Sequence, residues 1–180
     1  MRPSRAIMAA SMPFSRKDRA VSAEKPTFTI ITCSDTRSMS EDTAGAALEE
    51  LIAERGWECL SHVVVKDEVD QISAEIVRGA DELKADIVLT CGGSGLSLRD
   101  VTPEATRAVC DREVPGIAEA MRYHSLQITP HAMLSRAICM QRGRCIVINL
   151  PGSKKAATEN WEGIVAALPH AVKMMAGGGH

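Results

Sequence analysis

The chain is short of several things that would assign it quickly. Its six cysteines, Cys33, Cys59, Cys91, Cys110, Cys139 and Cys145, include no C-x-x-C pair and no metal-finger spacing. Scattered reduced thiols in a cytoplasmic protein are therefore expected. No apolar stretch approaches the ~20 residues that span a bilayer, so no membrane partner is expected. There is no G-x-G-x-x-G, and no Gly-Lys-Ser/Thr follows a glycine loop, which disfavours a dinucleotide oxidoreductase and a P-loop enzyme. No internal repeat or second domain is visible. Aromatic residues are only 3% of the 180, whereas the hydrophobic share of 45% is ordinary for one domain with a sizeable core.

Charge is sparse and uneven. The formal net charge is −2, yet residues 1–26 carry six basic side chains against Asp18 and Glu24, leaving that arm at +4 and the rest at −6. An acidic body argues against a nucleic-acid surface, which depends on neutralising phosphates. The arm, rich in Ser and Arg, reads as disordered and dispensable for the fold. A targeting peptide is the other reading, but the patch Ala6 to Met12 is interrupted by Ser11, followed by Pro13, and short for a signal core. The single folded domain is expected over 27–176, with 177–180 frayed.

What is present is an alternation of strand and helix from Thr27 onward. Thr27 to Cys33, Glu58 to Val65, Asp86 to Thr90 and Cys145 to Leu150 are β-rich runs. Ala44, Ala47, Leu48, Leu51 and Ile52 recur at helical spacing, with Gly56 closing that helix. Asp70 can cap the next helix, Pro103 and Pro115 open two more, and Trp161, Ile164, Val165, Leu168 and Val172 share a face of the last. Residues 137–141 and 145–150 suggest strands around the turn Arg142-Gly143. This order implies an α/β fold with a mainly parallel sheet covered on both sides. Ligands of such sheets lie beyond the strands' carboxyl ends.

That rule gathers Ser34 and Asp35, Asp67 and Glu68, Gly92 to Asp100, and Asn149 to Ser153. The third group is the richest. Gly92, Gly93, Ser94 and Gly95 follow a buried-looking strand, Arg99 and Asp100 come next, and Thr102-Pro103-Glu104 reads as an N-cap, a proline and an acidic first turn. A strand end, free N–H groups and a helix start make an anion cradle. Glycines after a strand often only turn the chain, and acids in loops are usually just solvated. Asp100 inside a phosphate cradle, however, calls for a metal ion or a proton. Asp67 also leaves a strand end, so the two carboxylates could hold magnesium between phosphate oxygens. His62, His124, His131 and His170 show no ligand pairing and read as structural. Cys33 and Cys91 could approach each other but read as small buried fillers. Ser94, Ser97 and Ser125 show no Ser-His-Asp arrangement in the sequence.

Five segments then carry a resemblance: Ser34-Asp35 with Asp42-Thr43; Gly92-Gly93-Ser94-Gly95-Leu96-Ser97-Leu98-Arg99-Asp100-Val101-Thr102-Pro103-Glu104-Ala105-Thr106; Pro115-Gly116 with Met121-Arg122 and Ser125; Ala132 to Arg136; and Asn149-Leu150-Pro151-Gly152-Ser153. From about Thr29 to Met174 the chain resembles the molybdopterin adenylyltransferases of molybdenum cofactor biosynthesis. The resemblance implies a three-layer α/β/α sandwich and a homo-oligomer, usually a trimer and in some members a hexamer. It implies transfer of AMP from MgATP to the terminal phosphate of molybdopterin, releasing pyrophosphate. Asp67 and Asp100 match the family's catalytic aspartates, with magnesium as their ion. Gly92 to Gly95 match its phosphate-binding loop, and Ser125, Ser135, Asn149, Pro151, Gly152 and Ser153 match substrate-binding positions. Lys154 or Lys155 could balance pyrophosphate charge. Ser94 stands where threonine is usual, and Leu98 and Lys154 where proline is common. A non-catalytic molybdopterin-binding or assembly protein is the other reading the family offers.

Overall fold

The computed structural model describes residues 25–177. The expected arm over 1–26 therefore lies outside the described residues except for Lys25 and Pro26, and the expected frayed tail except for Gly177. Strands β1 (Thr27–Cys33), β2 (Glu58–Val65), β3 (Ile87–Cys91), β4 (Arg112–Glu113), β5 (Cys139–Arg142) and β6 (Cys145–Leu150) form one sheet, ordered β2-β1-β3-β6-β5-β4. The first four strands in that order run parallel, and β5 and β4 add antiparallel pairings. Helices α1 (Thr43–Glu54), α2 (Val69–Val77), α3 (Thr102–Val109), α4 (Pro115–Leu126), α5 (Lys154–Ile164) and α6 (Leu168–Met175) cover both faces.

Strand alternation divides the core. Phe28, Ile30, Ile87, Leu89, Cys91, Ile146, Ile148 and Leu150 point to the face covered by α1, α4, α5 and α6, where Leu48, Met121, Trp161 and Leu168 meet them. Ile31, Cys33, Val88, Cys145 and Val147 point the other way, against Ile72 and Ile76 of α2 and Ala105 of α3. The few aromatics are concentrated: the Trp161 ring lies 5.7 Å from Phe28 and 6.2 Å from Trp57, centroid to centroid. Cys33 and Cys91 are both free and belong to opposite faces, so adjacency of their strands does not bring the thiols together.

Two local expectations are corrected. Asp70 does not cap α2: the helix starts at Val69 behind an extended Glu68, whose carboxylate is drawn to Arg99 at 2.8 Å. Thr102 is the first residue of α3 rather than its cap, because its hydroxyl turns back to donate to the Gly92 carbonyl at 2.9 Å. Met121 and Met140 are buried within one protomer, whereas Met133 and Leu134 are exposed. The β5–β6 hairpin turns at Gly143, whose φ of +52° suits a residue without Cβ.

Candidate active site

From β1 the chain goes through α1 to β2 on one side, then crosses to β3 on the other side of β1. This reversal opens a crevice at the strands' carboxyl ends. A cleft of about 660 Å³ sits there, with Cys33 after β1, Asp67 after β2, Gly92 after β3 and Pro151 after β6 in its walls.

Its most polar corner is built from carboxylates. Asp67 Oδ2 accepts the Asp35 backbone N–H at 3.0 Å, and Asp35 Oδ1 accepts the Asp67 N–H at 3.2 Å. Arg99 neutralises Asp35 through Nε at 2.9 Å and Nη2 at 3.1 Å, holding its carboxyl below the usual range. The second oxygen of Asp67, Oδ1, is buried and has no partner among the described residues. Burial, then the charges of Asp35 and Asp100, push the Asp67 carboxyl above its ordinary value. An unpaired buried acceptor is costly and calls for a ligand.

The glycine loop runs past both acids. A Cβ on Gly93 would come within 3.0 Å of Asp67 Oδ1, and one on Gly95 within 2.8 Å of Asp100 Oδ2. Gly92 and Gly93 have φ of +106° and +63°, so glycine is required there for backbone shape as well as space. The expected role of all four amides is corrected at Gly92, whose N–H donates to the Leu150 carbonyl at 3.0 Å. The amides of Gly93, Ser94 and Gly95 have no acceptor among the described residues.

The residues fit magnesium as a passenger on phosphates. No group of three or more metal-ligating side chains occurs among the described residues, so a caged ion is not provided for. Asp67 Oδ1 and the Asp100 carboxylate, which accepts the Ser97 N–H at 3.2 Å, supply the one or two hard oxygens that magnesium takes from a protein when phosphates complete its shell. The thiol in the wall is not a nucleophile: burial pushes Cys33 up to about 12.

The family model described as "Probable molybdopterin binding domain" matches residues 29–170. The chain belongs to the molybdopterin-binding domain family. It is 38% identical over 152 residues to a molybdopterin adenylyltransferase of Helicobacter pylori, covering 82% of this chain and 86% of the relative. It is also 38% identical over 126 residues to the molybdopterin adenylyltransferase of Escherichia coli, covering 63% and 65%. The crystal structure of the molybdopterin biosynthesis enzyme MoaB from Thermus thermophilus superposes with a TM-score of 0.78 at 42% identity, over 84% of this chain and 97% of that one. The three-layer fold is thus the one found in molybdenum cofactor biosynthesis proteins.

The molybdopterin-binding domain brings most of the sequence candidates to one cleft: Asp67, Asp100, Gly92 to Gly95, Ser125, Ser135 and Pro151 to Ser153 all line it. Asn149 does not line it. Its side chain is wholly buried, with Nδ2 donating to Thr90 and Thr106 hydroxyls at 2.9 Å each and Oδ1 accepting the Ile138 N–H at 3.4 Å. Lys154 and Lys155 do not line the cleft either; Lys155 pairs loosely with Glu159 at 3.8 Å. Arg37 and Arg122, neither singled out as a site residue from the sequence, also line the walls, together with His131, which was read as structural. Arg37 Nη1 donates to the Gly152 carbonyl at 2.6 Å, tying the first loop to the last. Its signal was its place in the polar loop after β1. Asn160 was also missed; it donates to Ser125 Oγ at 3.0 Å and reaches the cleft from α5.

Proposed function

We propose that this chain is a molybdopterin adenylyltransferase: it joins the terminal phosphate of molybdopterin to the AMP moiety of ATP and releases pyrophosphate. The observation that carries the reading is the buried, partnerless Asp67 Oδ1 set against a glycine loop with free amides, with Asp100 lining the same cleft. Its named relatives supply the substrate class.

A phosphate monoester oxygen attacks the α-phosphorus, a P–O bond to pyrophosphate breaks, and the electron pair leaves on the pyrophosphate oxygen. With a second pKa near ~6 the nucleophile is largely ionised at neutral pH, so the protein's work is placement and charge neutralisation rather than proton removal. The amides of Gly93 to Gly95 hold phosphate oxygens, and Asp67 and Asp100 would hold magnesium, whose charge would offset that of the phosphates. Arg37, rather than Lys154 or Lys155, faces the departing pyrophosphate. Ser125, Ser135 and Asn160 orient the substrates' outer parts.

We assign the reaction to the cytoplasm, where ATP is supplied; no described helix is long and apolar enough to cross a membrane. The working form is a homotrimer, with exposed Met133 and Leu134 at subunit contacts. Light scattering is expected to give three times 19.3 kDa; a monomer mass at micromolar concentration would refute the assembly. The activity is tested by incubating purified protein with molybdopterin, ATP and magnesium and identifying the products. Adenylylated molybdopterin and pyrophosphate in equal amounts are expected, and neither product above the protein-free control would overturn the reading.

A further inference from the structure

The carbonyls of the glycine loop are all tied from one side. Thr102 Oγ1 donates to the Gly92 carbonyl at 2.9 Å, and the Thr102 backbone N–H to the Gly93 carbonyl at 3.0 Å. The backbone N–H of Arg136 donates to the Ser94 carbonyl at 2.9 Å. Its guanidinium then takes the next acceptors: Nε donates to Gly95 O at 2.7 Å and Nη2 to Asp100 O at 2.5 Å, while Nη1 pairs with Glu104 of α3. Neither Thr102 nor Arg136 lines the cleft.

A trans peptide unit points its C=O and N–H in opposite directions. Anchoring the carbonyls of Gly92, Gly93, Ser94 and Gly95 therefore aims the N–H groups of Gly93, Ser94, Gly95 and Leu96 away from Thr102 and Arg136. Those four residues line the cleft, and their amides have no acceptor among the described residues. The loop is thus a set of parallel dipoles, positive ends toward the cleft.

We propose that Arg136 is a positioning residue for phosphate binding, acting from behind the loop: its guanidinium holds the Gly95–Leu96 peptide and the Asp100 backbone in the orientation that presents the loop amides to a phosphate group. The proposal rests on the reading of the cleft as a phosphate site. Without the guanidinium, Gly95 O loses its only donor among the described residues. Gly95 carries no side chain to resist a peptide flip, and a flipped unit would place a carbonyl oxygen where the Leu96 amide stood. A donor would become an acceptor facing an anion, which is worse than a lost contact. Glu104 orients the guanidinium and is the reason lysine cannot substitute: a point charge cannot reach Gly95 O, Asp100 O and a carboxylate in one plane.

The test is a titration of the ¹⁵N-labelled full chain with inorganic pyrophosphate and magnesium, following the amides of Gly93, Ser94, Gly95 and Leu96. In the wild type all four resonances are expected to shift together. In Arg136→Lys and Arg136→Ala the dissociation constant is expected to rise about 10- to 100-fold, the scale of one or two charge-assisted hydrogen bonds. Added methylguanidinium is expected to restore most of the affinity to Arg136→Ala and none to the wild type. Glu104→Gln, which leaves every loop contact in place, is expected to weaken binding less than Arg136→Lys. Wild-type amides that do not shift would overturn the phosphate reading itself. Shifts in the wild type with unchanged affinity in Arg136→Lys would overturn the role of Arg136 alone, as would a fall in kcat with KM for ATP unaltered.

Discussion

Asp35 and Asp67 exchange backbone-to-carboxylate hydrogen bonds, each N–H donating to the other's side chain at 3.0 and 3.2 Å. Because the exchange uses one oxygen of Asp67 and Arg99 serves Asp35, the acceptor left without a partner in this pair is one atom, Asp67 Oδ1.

Asp67→Asn is expected to abolish most turnover and to stabilise the ligand-free protein at neutral pH. The sign follows from linkage: the folded carboxyl is raised above its unfolded value, so its contribution to stability is complete only below the unfolded pKa and is lost as pH rises through the folded one. Thermal melts at pH 7 and pH 4 check this, the variant's advantage shrinking at pH 4. Combining Asp67→Asn with Asp100→Asn should lose much less activity than the two losses multiplied, as for residues sharing one ion. A destabilised Asp67→Asn, or fully multiplicative losses, would count against the site as drawn.

The acid limb of kcat/KM is expected above the ordinary carboxylate range, since burial and the charges of Asp35 and Asp100 raise Asp67. Arg99 is a cation that lowers it. Arg99→Gln should therefore move the limb to higher pH, and pH–rate profiles of the two proteins would show it. A limb moving toward lower pH would contradict the assignment.

Arg37→Ala is expected to raise KM for ATP about tenfold, with Arg37→Lys intermediate, because a compact ammonium keeps the charge and loses the planar fork. Lys154→Ala and Lys155→Ala should leave KM within about twofold, both side chains standing outside the cleft. Initial-rate measurements in saturating molybdopterin separate the cases.

Asn149→Ala is expected to act on stability. It strips the Ile138 N–H of its side-chain acceptor and unlinks β6 from Thr90 and Thr106, at a cost of about 2–3 kcal/mol. In a domain of this size that is a fall in Tm of roughly 5–10 °C. An unchanged Tm with a raised KM would return Asn149 to the substrate-binding residues.

Much of this was legible in the sequence because the signals are local. The apolar runs of β1, β3 and β6 name buried strands, and the loops after them name the cleft. Asn149 is less legible: a polar residue near the end of an apolar run looks like a ligand contact, and only the structure shows what its side chain bonds. Its real partners, Thr90 and Thr106, lie 59 and 43 residues away. Thr102 looked like a helix cap until the carbonyl it serves, ten residues earlier, was in view. The strand Arg112–Glu113 has two exposed residues and no apolar pattern, so nothing in its composition announced it. Arg136 lay inside a recognised segment, yet its use depends on the carbonyls of Gly95 and Asp100, about 40 residues before it.

The same short β4 has a consequence for how copies can join. It ends the sheet with two residues of backbone and a guanidinium and carboxylate in the open, leaving a newcomer strand almost nothing to zip onto. The opposite margin, β2, offers eight residues. A closed ring built strand to strand needs two margins that complement each other, and among the described residues only β2 is of usable length. The trimer proposed above is therefore expected to close through helices and loops, leaving each sheet, and the cleft at its strand ends, to one protomer's backbone.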